Sequence, residues 1–178
     1  PAYKEANRLY RRKQADQIIG GISHDDSNKT ISETTNTDKV LVKEVNEPDG
    51  EAIVTNNKGE GIKILTPIES NVSPDKLYVN AVDGIKNGAL WEPCLSSPTD
   101  DNHSTGVRLN KDHDFYTKIY SQTGMGMSLE GLDLLLWALA AAEHKNTDDE
   151  LSFMWEDIRD EVSSNLRKLL RGIDLPIE

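Results

Sequence analysis

The stretch TGVRLNKDHDFYTKIY, residues 105–120, is where the chain changes from strands to helices. Residues 105–109 form a short run that contains the β-branched Thr105 and Val107 and is typical of a strand. Asn110 or Asp112 then supplies a helix N-cap, because a short side-chain oxygen can accept a hydrogen bond from the free N–H groups of a first helical turn. The sequence therefore predicts a strand that leads directly into a short helix ending near Tyr120.

Upstream of this point, residues 39–110 alternate between short β-branched runs and turn residues. Turn signals such as Pro48-Asp49-Gly50 and Asn87-Gly88 suit tight connections between strands. Because such connections are too short for parallel crossovers, we expect a mostly antiparallel sheet. The predicted strands cover residues 39–45, 51–54, 61–65, 76–82, 89–91 and 105–109.

Downstream, residues 111–178 have the periodicity of helices that belong to the same domain. The segment from Ser128 to about His144 is apolar nearly all round, which predicts a central, buried helix. A last helix begins near Asp148 or Asp149 and ends at Arg171, before Gly172 and Pro176. These patterns indicate an α+β fold in which C-terminal helices pack on the sheet.

The first 38 residues divide into two parts. Residues 1–21 carry apolar side chains at helical spacing and end in Gly20-Gly21, so they predict a short N-terminal helix. Residues 22–38 are rich in Ser, Thr, Asn and Asp, a composition typical of a polar loop or linker. Because the helical pattern is already present at Pro1, we expect this chain to be a piece of a larger protein.

The last helix carries an apolar stripe, and we call it the α-terminal stripe. Asn165 falls where the next apolar residue of the stripe is due. Two interpretations are open: the stripe packs against its own domain, or it forms a homodimer seam in which Asn165 sets the register. The stripe consists of residues with a four-three-four spacing: Leu151, Trp155, Ile158, Val162 and Leu169.

Charge limits the choice of partners. A formal net charge of −11 disfavours broad electrostatic attraction to nucleic acid over the whole surface. Two basic segments are local exceptions, and each is either a phosphate-contacting patch or a solvated helix face. The candidate phosphate contacts are Arg8, Arg11, Arg12, Lys13, Arg167, Lys168 and Arg171.

Cysteine use and hydropathy indicate a cytoplasmic protein without a membrane anchor. Cys94 is the only cysteine, so the chain cannot form an internal disulfide, which suits a reducing compartment. The most apolar stretch, residues 132–142, is too short to cross a bilayer. We therefore expect no contact with a membrane.

No motif for catalysis, a metal or a cofactor emerges from the residues. The four histidines lack the spacing of transition-metal ligands, and the Gly-x-Gly at 59–61 lacks the remainder of a phosphate-binding loop. A hydrolase that uses Glu92, Asp112 and His113 is an alternative, but spacing alone gives these groups no common site. We expect a protein that is not itself an enzyme and holds no cofactor.

Residues 90–93 (LWEP), 106–110 (GVRLN) and 112–120 (DHDFYTKIY) form a more distinctive pattern. With the helices that follow, it resembles the region downstream of the ATPase domain in bacterial and phage proteins of the GHKL superfamily, which includes gyrase-type, chaperone-type, histidine-kinase-type and MutL-type ATPases. The resemblance covers residues 76–171. It departs at Asp114, where such sequences tend to have Pro, and both residues suit a first helical turn.

The resemblance implies a non-catalytic regulatory or dimerisation domain of a larger ATP-binding protein, one whose relatives act in DNA repair, DNA topology or defence. It implies an upstream ATPase domain as partner, and it implies that ATP and magnesium belong to that parent protein. The Asn-bearing helix, Asp-x-Gly-x-Gly and glycine-rich lid of the superfamily's nucleotide site are not found in this sequence. The alternative is a nucleic-acid-binding module that uses the two basic segments.

Overall fold

The structure, a computed structural model, describes residues 22–34, 42–55, 59–123, 127–146 and 148–173. The helix predicted for residues 1–21 lies outside these described residues. Within them the predicted α+β class is confirmed: a short helix comes first, strands follow, and helices come last. None of the described helices combines the length and apolar character needed to cross a membrane.

The described part of the chain contains seven strands and four α-helices. The strands are β1 (Val42–Asn46), β2 (Glu51–Thr55), β3 (Gly61–Leu65), β4 (Ile68–Glu69), β5 (Val79–Val82), β6 (Trp91–Ser96) and β7 (Ser104–Asn110). The helices are α1 (Asp25–Thr34), α2 (Ser121–Thr123, entered from a π-helical turn over Tyr116–Tyr120), α3 (Met127–His144) and α4 (Asp149–Leu170).

The strands form two sheets. The first has the order β1-β2-β3 and is antiparallel throughout. The second has the order β4-β6-β7-β5; its central pair is antiparallel, whereas both edge strands run parallel to their neighbours. A mostly antiparallel arrangement is thus confirmed. The parallel edges were not expected, because the prediction considered only consecutive strands, and here a whole strand separates each parallel pair in the sequence.

The main core lies between the second sheet and α3. Trp91 and Leu109 face each other across β6 and β7, and both are buried in the same apolar cluster as Leu136 and Ala140 of α3. The indole N–H of Trp137 donates to the carbonyl of Thr105 at 3.0 Å, which joins α3 to β7 directly. The predicted central helix therefore has one buried side, although it is not buried all round.

The prediction of a polar loop or linker over residues 22–38 is wrong for α1. This helix buries Ser27, Asn28 and Ile31, and the polar pair among them has partners. The Asn28 amide accepts from the N–H groups of Tyr78 and Val79 and donates to the Val79 carbonyl, so it satisfies the free edge of β5. Polar composition misled the prediction because these side chains are buried and hydrogen-bonded.

The predicted N-cap at Asn110 or Asp112 also needs correction. The Asn110 side chain does accept from the Asp112 N–H at 2.9 Å, but helical conformation begins only at Asp114. His113 performs the capping, since its Nδ1 accepts from the Phe115 N–H at 3.0 Å. The strand thus enters the helix through an Asn turn followed by a histidine cap.

A substitution at Gly106 of β7 tests how closely the second sheet is packed. A Cβ atom at this position would lie 2.9 Å from the Cys94 Sγ and 3.0 Å from the Leu77 carbonyl oxygen. We expect Gly106→Ala to lower the free energy of unfolding by about 2 kcal/mol, because backbone atoms must move to admit the methyl group. Urea denaturation followed by circular dichroism measures the change.

The matched control is Gly131→Ala in α3, where a Cβ atom meets no heavy atom within 4 Å. Alanine has the higher helix propensity, so this variant should gain up to about 1 kcal/mol. Equal stability of Gly106→Ala and the wild type would contradict the close approach of Leu77 to β7.

Candidate functional site

A buried polar network lies between α1, α3 and the π-helical turn. His24 donates through Nδ1 to Asp133 Oδ2 at 2.7 Å, and its Nε2 lies 2.8 Å from the Tyr116 hydroxyl. The Ser27 hydroxyl donates to the same Asp133 oxygen at 2.6 Å. The network contains Ser, His and Asp, the residue types of a hydrolase triad.

That geometry does not match nucleophilic catalysis. In a triad the serine hydroxyl bonds to the histidine, whereas here Ser27 and His24 both bond to Asp133. All three side chains are buried, and burial together with the nearby Asp133 charge raises the pKa of Tyr116. The network therefore joins α1 to α3 by satisfying polar groups that would otherwise be costly to bury.

The hydrolase candidates Glu92 and His113 have separate partners. Arg108 forms ion pairs of 3.2 Å with both Glu69 and Glu92, and burial raises the pKa of Glu92 against the opposing effect of that arginine. His113 donates through Nε2 to the Ser163 carbonyl at 2.9 Å, and burial lowers its pKa. These contacts place Glu92 in an ion cluster on the sheet and His113 under α4.

Metal binding gains no support from the described residues, which contain no group of three or more His, Cys, Asp or Glu side chains placed to hold an ion. Cys94 is buried, and that burial raises the pKa of its thiol to about 12. At neutral pH the thiol is therefore protonated and unreactive.

Polar contacts attach the last helix, α4, to the rest of the domain. Ser163 is its central contact: its hydroxyl accepts from the Leu90 N–H at 2.8 Å, and its carbonyl accepts from His113. Arg167 donates to the Gly88 carbonyl, and Arg159 forms an ion pair with Glu143. Near the end of the helix, Lys118 donates to the Leu170 carbonyl at 2.7 Å.

The α-terminal stripe lies to one side of this attachment. Its residues lie about a third of a turn round the helix from Ser163, at 100° per residue. Leu151, Ile158 and Val162 are 43, 48 and 39% exposed, Leu169 is 73% exposed, and Trp155 is half-buried. No stripe residue belongs to either apolar core cluster of the described residues. The structure thus brings the predicted interface residues together as one apolar surface.

The predicted phosphate contacts are not gathered in the same way. Four of them, Arg8, Arg11, Arg12 and Lys13, lie outside the described residues. Arg167 is engaged with Gly88 and borders an open groove of about 630 Å³ that also contains Asp157, Asp160 and Glu161. Lys168 and Arg171 are exposed. The acidic side chains of the groove would repel a phosphate bound beside Arg167.

Comparisons with known proteins give no relative. No protein-family model, curated protein or solved structure matches the chain. The structure therefore defines an α+β domain with an exposed apolar helix face, and the GHKL resemblance depends on the quoted residues alone.

His144, at the end of α3, gives this domain a predictable response to acid. Its ring nitrogens lie 2.9 Å from the Thr105 hydroxyl and 3.4 Å from the Thr66 hydroxyl. Burial, with help from the nearby Arg159 charge, lowers the pKa of His144 to about 4. The ring is therefore neutral in the folded protein at neutral pH.

We expect this histidine to reduce stability as the pH falls from about 6.5 to 4. In that range the unfolded chain binds a proton at residue 144 that the folded chain does not, so protons favour unfolding. The loss should be about 2 kcal/mol, less than the full shift implies because the residue is only partly buried.

Urea denaturation at a series of pH values, compared between the wild type and His144→Gln, measures this effect. Glutamine keeps polar atoms but cannot be protonated, so the variant should lose less stability in this range. His113, whose pKa is also lowered, accounts for part of the fall that persists. Parallel pH profiles for the two proteins would contradict the assignment.

Proposed function

We propose that this chain is a non-catalytic domain that self-associates through the α-terminal stripe. One observation carries the proposal: an apolar surface with coiled-coil spacing lies exposed on a helix that is attached by an adjacent side. Exposed apolar surfaces of this kind are typical of interaction sites, since leaving them in water is unfavourable. A second copy offers a surface of the same shape and spacing.

The length of α4 supports a two-helix seam. Its 22 residues extend about 33 Å, enough for three heptads. Leu151, Ile158 and Asn165 then occupy one seam position, and Trp155, Val162 and Leu169 occupy the other. Burying an exposed Leu, Ile or Val side chain contributes about 1 kcal/mol or more, so several of them in one seam can stabilise a dimer.

The proposal extends to a larger parent protein. We infer that this domain follows an ATPase domain of the GHKL type in a bacterial or phage protein of the cytoplasm, and that it transmits nucleotide state or mediates dimerisation there. The support is the resemblance at residues 90–120 together with the seam. ATP and magnesium would bind the upstream domain, where DNA repair, DNA topology or defence is the expected process.

The sequence upstream of Pro1 in the parent gene tests this extension. We expect it to encode an Asn-bearing helix, an Asp-x-Gly-x-Gly and a glycine-rich lid, and we expect isothermal titration of the isolated chain with Mg·ATP to give no heat of binding. Absence of those upstream motifs would overturn the GHKL assignment while leaving self-association unaffected.

Self-association is tested by sedimentation velocity over a range of micromolar concentrations. The wild type should sediment as a dimer that dissociates on dilution. Ile158→Asp combined with Val162→Asp should sediment as a monomer, because two carboxylates would be buried in the seam. Ile158 and Val162 are both exposed in the single chain, so the variant should have the same circular dichroism spectrum as the wild type.

The matched control is Phe153→Ser. Phe153 is 72% exposed, more than either stripe residue replaced above, but it lies on the far side of α4 from the stripe. This variant should dimerise like the wild type. A monomeric wild type at every concentration, or equal disruption by Phe153→Ser, would overturn the proposal.

A further inference from the structure

We infer that the two copies of α4 pair antiparallel, with Trp155 of one copy facing Asn165 of the other. This inference rests on the proposed self-association and specifies its geometry. In an antiparallel pair, the two seam positions of one helix face the opposite positions of its partner. Centring the pair between Ile158 and Val162 brings every stripe residue, and Asn165, opposite another.

The layers that result are well matched in size. Leu151 faces Leu169, Ile158 faces Val162, and the large Trp155 faces the smaller Asn165, each layer occurring twice. A parallel pair in register would instead place two tryptophans in one layer and two asparagines in another. Alternating large and small residues across a seam fills it evenly, so the antiparallel pair has the better packing.

Hydrogen bonding favours the same arrangement. The Trp155 indole N–H is a donor without acceptor capacity. Asn165 donates through Nδ2 to Glu161 Oε1 at 3.2 Å, and its Oδ1 is an acceptor. In the antiparallel pair the indole can donate to that oxygen across the seam, which satisfies both groups where they become buried. This hydrogen bond accounts for the polar Asn165 within the apolar stripe.

Charge complementarity supports this direction too. The sequence is acidic over residues 148–150, at the start of α4, and the last turn carries the exposed Lys168, which the exposed Arg171 follows. Antiparallel pairing brings the basic end of each helix beside the acidic start of its partner, whereas parallel pairing brings like charges together. The two helix dipoles are also antiparallel, so the positive end of each lies beside the negative end of the other, which is favourable. Glu161 meets its own counterpart at the centre, but at an exposed position where repulsion is weak.

Cross-linking of the full 178-residue chain tests the direction. Leu151→Cys and Leu169→Cys are prepared singly and as an equal mixture, checked for dimer by sedimentation velocity, and treated with a short bismaleimide. We expect cross-linked dimer in the mixture and essentially none with either single variant alone. The wild type is the control for Cys94, whose buried, protonated thiol should not react.

Each other outcome overturns the inference in a recognisable way. Cross-linked dimer with Leu151→Cys alone, and with Leu169→Cys alone, would show a parallel pair and leave self-association standing. Dimer in sedimentation without a cross-link in the mixture would place the contact on another surface. A monomeric wild type would remove the proposed self-association, and the antiparallel geometry with it.

Discussion

The hydrogen bonds at Ser163 determine which side of α4 packs against the domain and which side faces water. The Leu90 N–H and the His113 ring hold this small, buried residue against the second sheet, and Arg159 and Arg167 add polar contacts on the same side. A helix attached through a narrow polar side needs little apolar surface for the attachment. Its apolar residues are therefore left on another side, where they face water in the single chain.

This division explains why the terminal helix has two separate surfaces. Each hydrogen bond contributes about 1 kcal/mol net, so several together can hold a helix whose buried apolar contact is small. Leu166 and Leu170 supply that contact, whereas the stripe residues remain outside the core. A helix docked through its stripe would instead have exposed its polar side and buried the stripe.

Local patterns predicted most of the described fold, and long-range partners account for what was missed. The β-branched runs and turns located most strands to within a few residues, but β6 was predicted to end at residue 91 instead of 96 and the two-residue β4 was not predicted. The caps located α3 and α4. The residue spacing predicted the stripe, but the sequence left open which side of α4 packs against the domain. Helix α1 was missed because Asn28 and Ser27 find their partners at Val79 and Asp133, far along the chain.

The chemistry of the stripe's surroundings favours a protein partner over a phosphate-bearing one. Asp157, Asp160 and Glu161 lie on the groove beside the attachment, and the chain as a whole carries a net charge of −11. A nucleic acid or an anionic lipid surface would meet repulsion from most of this protein. A second copy of the chain carries the same net charge, but the repulsion is spread over the whole surface and screened by salt, whereas apolar burial acts within the seam. The charge of this protein is therefore more compatible with the proposed self-association than with a phosphate-bearing partner.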